Sequence, residues 1–233
     1  MEMTTDTAIP RAALCLTEVS KSFRQGDTQL KVLDGLSLQL HAGEVVAVVG
    51  ESGSGKSTLL SLLAGFDSPD QGDIHWDKES TATWSDQRWA EFRKRSMGFV
   101  FQNYHLIPYL TALENAALPL RLLRTAANAD HEAAALLTQL GLGARLDHLP
   151  NQLSGGECQR TAIARATVHH PRLILADEPT GSLDSQTGHT VLAVLFRLLR
   201  ERRQTALIVT HSQDVAARCD RVLHLRQGRL WPA

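Results

Sequence analysis

Glu44-Val45-Val46-Ala47-Val48-Val49-Gly50-Glu51-Ser52-Gly53-Ser54-Gly55-Lys56-Ser57 is the stretch that decides the fold. Glu44–Val49 is mostly apolar and β-branched with little alternation, the pattern of a strand buried on both faces. Ser57–Ala64 has helical spacing, and Gly65 ends it. Between the two, Gly50–Ser57 fits G-x-x-x-x-G-K-[ST]. Glycines let backbone N–H groups curl around phosphate oxygens, and the helix start adds a favourable partial charge. Lys56 is placed to reach the β- and γ-phosphates of a nucleoside triphosphate, and Ser57 to ligate Mg²⁺. An ordinary Gly-Ser turn would not require this flanking strand and helix. Small-molecule kinases and GTPases share the loop, so it fixes a ligand class and leaves the function open.

Downstream, Leu173-Ile174-Leu175-Ala176 is a second buried strand, and it ends in Asp177-Glu178. Such a strand delivers Asp177 to the Mg²⁺ shell. Glu178 can polarise an attacking water as a general base. Two solvated, idle carboxylates at a strand end are the plainer reading. The phosphate loop upstream is what gives this pair a task.

Leu153-Ser154-Gly155-Gly156-Glu157-Cys158-Gln159-Arg160 is a further glycine-rich turn at a helix start, with Glu157–Thr167 as the helix. It predicts a second anion site in a chain that needs one for a nucleotide. Alternatively, Ser154 is an ordinary N-cap. Cys158 falls in the first turn, where the helix dipole can activate a thiol. A buried, inert thiol is the opposing possibility.

Strands and helices alternate around these segments. Ala13–Val19 and Val32–Leu40 alternate like half-buried strands, with a turn at Gly26-Asp27. Gly72–Trp76, Gly98–Phe101, Thr205–Thr210 and Arg221–Leu225 are further strands; Asp86–Arg95 and Ser185–Arg202 are helices. From 103 to 170 alanine and leucine displace β-branched residues, as in Ala112–Leu123 and Ala129–Leu140, which predicts a helical insert. The expectation is an α/β domain over residues 13–233 with a mostly parallel sheet. Its core spans about 13–102 and 171–233, its helical subdomain about 103–170, and residues 1–12 form a loose tail. His169-His170 is expected to end a helix in solvent.

Bulk properties bound the partners. With 233 residues, 43% apolar and 21% charged, a full core can form. A net charge of -1 argues against nucleic acid, which leaves a basic footprint. No run reaches the roughly 18 apolar residues of a membrane span. The N-terminus lacks the basic and apolar regions of a secretory signal. Cys15, Cys158 and Cys219 give neither a disulfide framework nor a metal site and suit a reduced, cytoplasmic setting. The ten histidines show no metal-ligand spacing.

In order along the chain, the phosphate loop, the Leu153–Arg160 stretch and the strand ending in Asp177-Glu178 resemble the ATPase subunit of ATP-binding cassette (ABC) transporters. The resemblance covers about residues 13–231. It implies a P-loop NTPase (RecA-like) core with an antiparallel β subdomain and a helical ABC-signature subdomain. Ser154, Gly155 and Gly156 then belong to the signature, which closes over the ATP held by the loop of another subunit. A nucleotide-sandwiched homodimer follows. Gln102 matches the Q-loop glutamine linking Mg²⁺ to the membrane partner, and Gly181-Ser182-Leu183-Asp184 matches the D-loop. His211 matches the switch histidine at the γ-phosphate, although alone it would suit a satisfied surface histidine. Phe23 stands where the family places an aromatic ring against adenine, although a core phenylalanine would also fit. The implied catalytic set is Glu178, His211, Lys56 and Gln102. The implied nucleotide contacts are Phe23, Gly50, Glu51, Ser52, Gly53, Ser54, Gly55, Lys56, Ser57, Thr58, Ser154, Gly155, Gly156 and Asp184. The implied Mg²⁺ ligands are Ser57, Gln102 and Asp177.

Gly98–Gln102, Leu106-Ile107-Pro108, Leu113-Glu114-Asn115, Leu118-Pro119-Leu120 and Leu175–Gly181 resemble the LolD/MacB-like cassettes. Gly141–Pro150 and Ala217–Arg221 are similar to the YbbA branch. Such cassettes pair with FtsX-like permeases, and several handle lipids or lipoproteins or transmit force across the membrane. A cytoplasmic chain held on the inner face of the cell membrane by its permease is thereby implied. This sequence departs from its relatives at Cys158, at Phe23 (commonly tyrosine), at Ser182 (often asparagine) and at Ser212 after His211 (usually an acid). None of these removes a catalytic group. The ATPase of a nutrient importer would share every catalytic residue and differ only in the helical insert. A soluble ABC ATPase acting on ribosomes or DNA usually carries two cassettes or a long coiled-coil insertion, whereas this sequence has one cassette, no heptad block and no basic stripe.

Overall fold

The computed structural model describes residues 12–26, 28–123 and 128–233. The expected tail, apart from Ala12, and Asp27 of the expected turn lie outside the described residues. The chain opens with β1 (Ala12–Gln25) and β2 (Thr28–His41), followed by β3 (Val45–Val49) and α1 (Lys56–Leu63). β4 (Gln71–Trp76), β5 (Glu79–Ser80), α2 (Asp86–Ser96) and β6 (Met97–Val100) come next. Three helices, α3 (Ala112–Leu123), α4 (Ala129–Gln139) and α5 (Gly155–Thr167), separate β6 from β7 (Leu173–Asp177). The chain finishes with α6 (Ser185–Glu201), β8 (Ala206–Thr210), α7 (Gln213–Ala216), β9 (Arg221–Arg226) and β10 (Arg229–Pro232).

Two sheets result. One is antiparallel with order β2-β1-β4-β5; the other has order β10-β9-β3-β8-β7-β6. In the second, β9, β3, β8, β7 and β6 run parallel and β10 is an antiparallel edge. β3 is buried at all five positions, as its unbroken apolar run requires.

Strand alternation divides the core into two layers. Val46, Val48, Leu173, Leu175, Leu207 and Val209 pack on one side with Leu14, Leu16 and Leu33 of the antiparallel sheet and Leu59, Leu62 and Leu63 of α1. Ile174, Ala176, Ala206 and Ile208 face the other side. There they meet Ile163 of α5, Val191 and Leu195 of α6, and the alanines of α3 and α4. Both faces of the parallel sheet are therefore covered, and polar chemistry is left to its ends.

His169 corrects one expectation. Its Nε2 lies 3.0 Å from the Met97 carbonyl, and burial lowers its pKa. It anchors the end of α5 to β6, while His170 is exposed.

Candidate active site

A cleft of about 670 Å³ opens where the parallel strands end at their carboxyl edges. The turn after β3 contributes Ser52, Gly53 and Gly55, and the first turn of α1 contributes Lys56, Ser57 and Thr58. Gln102 follows β6, Asp177 ends β7, Glu178 comes next, and His211 follows β8. Phe23 of β1 and Val32 of β2 close the cleft from the antiparallel sheet. Gly50, Glu51 and Ser54 line an adjoining hollow of about 730 Å³, which Ser52, Gly53 and His211 also border.

Gly55 is the N-cap of α1, with φ at 103°. A Cβ there would stand 2.9 Å from Val32 Cγ1, so both conformation and space demand glycine. No side chain caps α1. Its first N–H groups are thus available to an anion. Lys56 Nζ meanwhile donates to the carbonyls of Gly50 and Glu51, at 2.7 and 2.8 Å.

Glu178 adopts φ 43°, a left-handed conformation unusual for a residue with a side chain. Its N–H donates to Val209 O at 3.0 Å. Its Oε2 accepts from Thr210 Oγ1 at 2.8 Å, and its Oε1 accepts from the backbone and ring of His211. The bend turns Glu178 toward the cleft that Asp177 already borders. Thr210 had no sequence signal beyond its place before His211.

Ser57 Oγ lies 3.4 Å from Asp177 Oδ2. Burial, and then the Glu178 charge, push the Asp177 carboxyl above its ordinary pKa. A hydroxyl, an amide oxygen and one carboxylate at a cleft suit a small hard cation that keeps several waters. The donor set of Ser57, Gln102 and Asp177 thus fits Mg²⁺.

Phe23 is 42% exposed, so it is not the core ring its sequence also allowed. Ser154, Gly155, Gly156 and Asp184 do not line the cleft. Ser154 caps α5: its Oγ accepts from Glu157 N at 3.3 Å, while Glu157 Oε2 accepts from Ser154 N at 2.8 Å. This capping box satisfies donors that the sequence reading offered to an anion. Asp184 caps α6 through Thr187 N at 3.0 Å. Cys158 is buried, with Sγ 3.5 Å from Pro150 O, and burial raises its pKa.

Comparison with known proteins agrees with this geometry. Residues 33–181 match the ABC transporter family. The chain is 47% identical over 221 residues to the lipoprotein-releasing system ATP-binding protein LolD of Pseudomonas fluorescens, covering 94% of this chain and 97% of that one. It is 50% identical over 214 residues to the ABC transporter ATP-binding protein YbbA of Escherichia coli, covering 91% and 93%. It is 47% identical to the macrolide export ATP-binding/permease protein MacB of Brucella melitensis, covering 92% of this chain and 33% of that longer one. The dimeric structure of the bacterial ABC transporter cassette MJ0796 superposes with a TM-score of 0.85 at 39% identity, covering 93% and 96%. A second structure of that cassette, bound to ADP and Pi in a post-hydrolysis state, gives 0.85 at 38%. A parallel sheet with a phosphate loop at its carboxyl edge, a detached signature turn and these relatives converge on one conclusion: the chain belongs to the ABC transporter family.

Proposed function

We propose that this chain binds Mg·ATP in the cleft, closes with a second copy around the nucleotide, hydrolyses it and drives an FtsX/MacB-like membrane permease. The observation that carries the reading is the separation between the cleft and the signature turn. One copy supplies loop, acids and His211 at one place and Ser154–Gly156 with Asp184 at another. Two copies facing each other would complete both sites, an arrangement supported by the dimeric cassette structure at 39% identity.

In this reading Lys56 leaves the Gly50 and Glu51 carbonyls for the β- and γ-phosphates, and the open N–H groups of α1 receive the phosphate oxygens. Glu178, pinned by Thr210 and His211, takes the proton of the attacking water. Phe23 offers its exposed ring to the base. Mg²⁺, held by Ser57, Gln102 and Asp177, supplies charge neutralisation on the phosphates.

The catalytic core then comprises about residues 13–102 and 171–233, and the helical signature subdomain about 103–170. No helix of the described residues is long and apolar enough to cross a membrane, so attachment to the inner face would come from the permease. The similarity to a lipoprotein-releasing system protein and to a macrolide export protein supports lipoprotein handling or export; mechanotransmission is the alternative output of such a permease. Purification from detergent-solubilised membranes tests the assignment. A permease is the expected companion. A ribosome, or a permease together with a periplasmic binding protein, would refute it.

A further inference from the structure

The loop after β6 carries two consecutive left-handed residues, Tyr104 (φ 59°) and His105 (φ 46°). Neither is glycine, so the bend needs support. Arg165 of α5 supplies it: Nη2 donates to Tyr104 O at 2.7 Å, and Nη1 donates to His105 O.

The bend brings the Tyr104 phenol to a junction of loops. Ser182 Oγ lies 2.8 Å from Gln102 O and 3.1 Å from the phenol oxygen. A serine hydroxyl has one proton, and the carbonyl can only accept. The phenol therefore donates to Ser182. Its oxygen also lies against the start of α5, where a Cβ on Gly155 would stand 2.8 Å away and 3.1 Å from Leu183 Cδ2. Gly181, beside Ser182, is bonded back to Glu178 by its N–H at 3.0 Å.

We propose that the Tyr104 phenol is a positioning group that couples the Gln102 loop, the Ser182 loop and the Ser154–Gly156 turn of one chain. The inference rests on the composite-site reading above. The Gln102 loop borders the chain's own nucleotide, while the signature turn would serve the nucleotide of the second copy. One phenol in contact with both links the two sites within a subunit. Serine at 182 suits this bridge because its hydroxyl donates to a carbonyl while accepting from the phenol.

Tyr104→Phe removes one oxygen and keeps the ring. The first measurement is amide hydrogen exchange by mass spectrometry on the full-length, nucleotide-free protein, which requires no turnover. Exchange should rise about threefold to tenfold, the scale of one neutral hydrogen bond, in both 153–157 and 181–184, with β7 and β8 unchanged. Ser182→Ala should reproduce the pattern, the double variant should add little, and Ser182→Thr should restore protection. Unchanged exchange, or a rise confined to 102–105, overturns the coupling. ATPase assays then separate this inference from the function it rests on. A comparable loss in kcat at unchanged KM supports the coupling. Equal kcat in Tyr104→Phe and an active wild type overturns it. A wild type without ATPase activity refutes the hydrolase reading, and exchange still decides the coupling.

Discussion

The backbone N–H and ring Nδ1 of His211 converge on a single oxygen of Glu178, at 2.9 and 2.7 Å. A carboxylate only accepts, so Nδ1 carries the proton. The histidine side chain is 71% exposed and that of Glu178 only 12%. The acid is thus fixed from behind, and the ring that helps fix it remains open to a ligand.

Glu178→Gln should fold normally and bind ATP while losing turnover by about 10²–10⁴. The amide oxygen can still accept from His211, and the amide nitrogen can donate to Thr210. With less negative charge near the γ-phosphate, the closed dimer should persist. Phosphate release and gel filtration with Mg·ATP check both halves. A monomer hydrolysing at the wild-type rate would remove Glu178 from the mechanism.

Lys56→Ala should weaken nucleotide binding as well as turnover, because in the proposed complex the ammonium would contact phosphates in both ground and transition states. A charged hydrogen bond contributes about 1.5–3 kcal/mol, or roughly tenfold to a hundredfold in affinity. Titration with a fluorescent ATP analogue measures it, and unchanged affinity would contradict the role.

Ser154→Arg should leave binding to one subunit intact and block closure. Loss of the Glu157 cap will also cost about 1 kcal/mol, so Ser154→Ala serves as the control. Mixing Ser154→Arg with Lys56→Ala places both lesions at one composite site and leaves the other intact. Partial recovery of ATPase activity is expected. Normal hydrolysis by Ser154→Arg alone would end the sandwich reading.

Acid stability should depend on Glu157. The Ser154 backbone N–H, and after it Arg145, hold this carboxylate at a pKa of about 2, against 4.5 for an unperturbed glutamate. A depressed native pKa stabilises above the unfolded value and is lost as pH falls. The wild type should therefore lose this contribution between about pH 4.5 and 2. Glu157→Gln should start about 1 kcal/mol less stable at neutral pH and decline less steeply across that window. Parallel curves in acid titrations followed by circular dichroism would show that Glu157 contributes nothing.

Cys158 should react slowly with maleimide. It is 6% exposed, and burial, reinforced by Glu157, raises its pKa; Cys219 is pushed to about 12. Cys15 should label first in mass spectrometry of the folded protein. Rapid labelling at Cys158 would indicate that the start of α5 opens in solution.

Periodicity located most elements within a residue or two, as Ser57–Ala64 against Lys56–Leu63 illustrates. It shortened β1 to Val19 because register shifts at Leu16/Val19 and Val19/Lys21 break the alternation. β5 and β10, two and four residues long, lack a readable period. The loop, Asp177 and Glu178 were legible because each motif is local in sequence. Thr210 and Tyr104 were not: their partners lie 32 and 78 residues away, and tertiary packing alone brings them together. Ser154 showed the opposite problem, since one short stretch reads as an anion site in the sequence while the structure shows a helix cap.

β7 has a consequence for sequence change. Leu173 and Leu175 serve one core layer, Ile174 and Ala176 the other, and Asp177 emerges at the edge beside Ser57. Inserting or deleting one residue within the strand would exchange the two apolar faces and carry Asp177 and Glu178 a full step out of place. The segment should accept many side-chain replacements of matched volume, yet it has a fixed length.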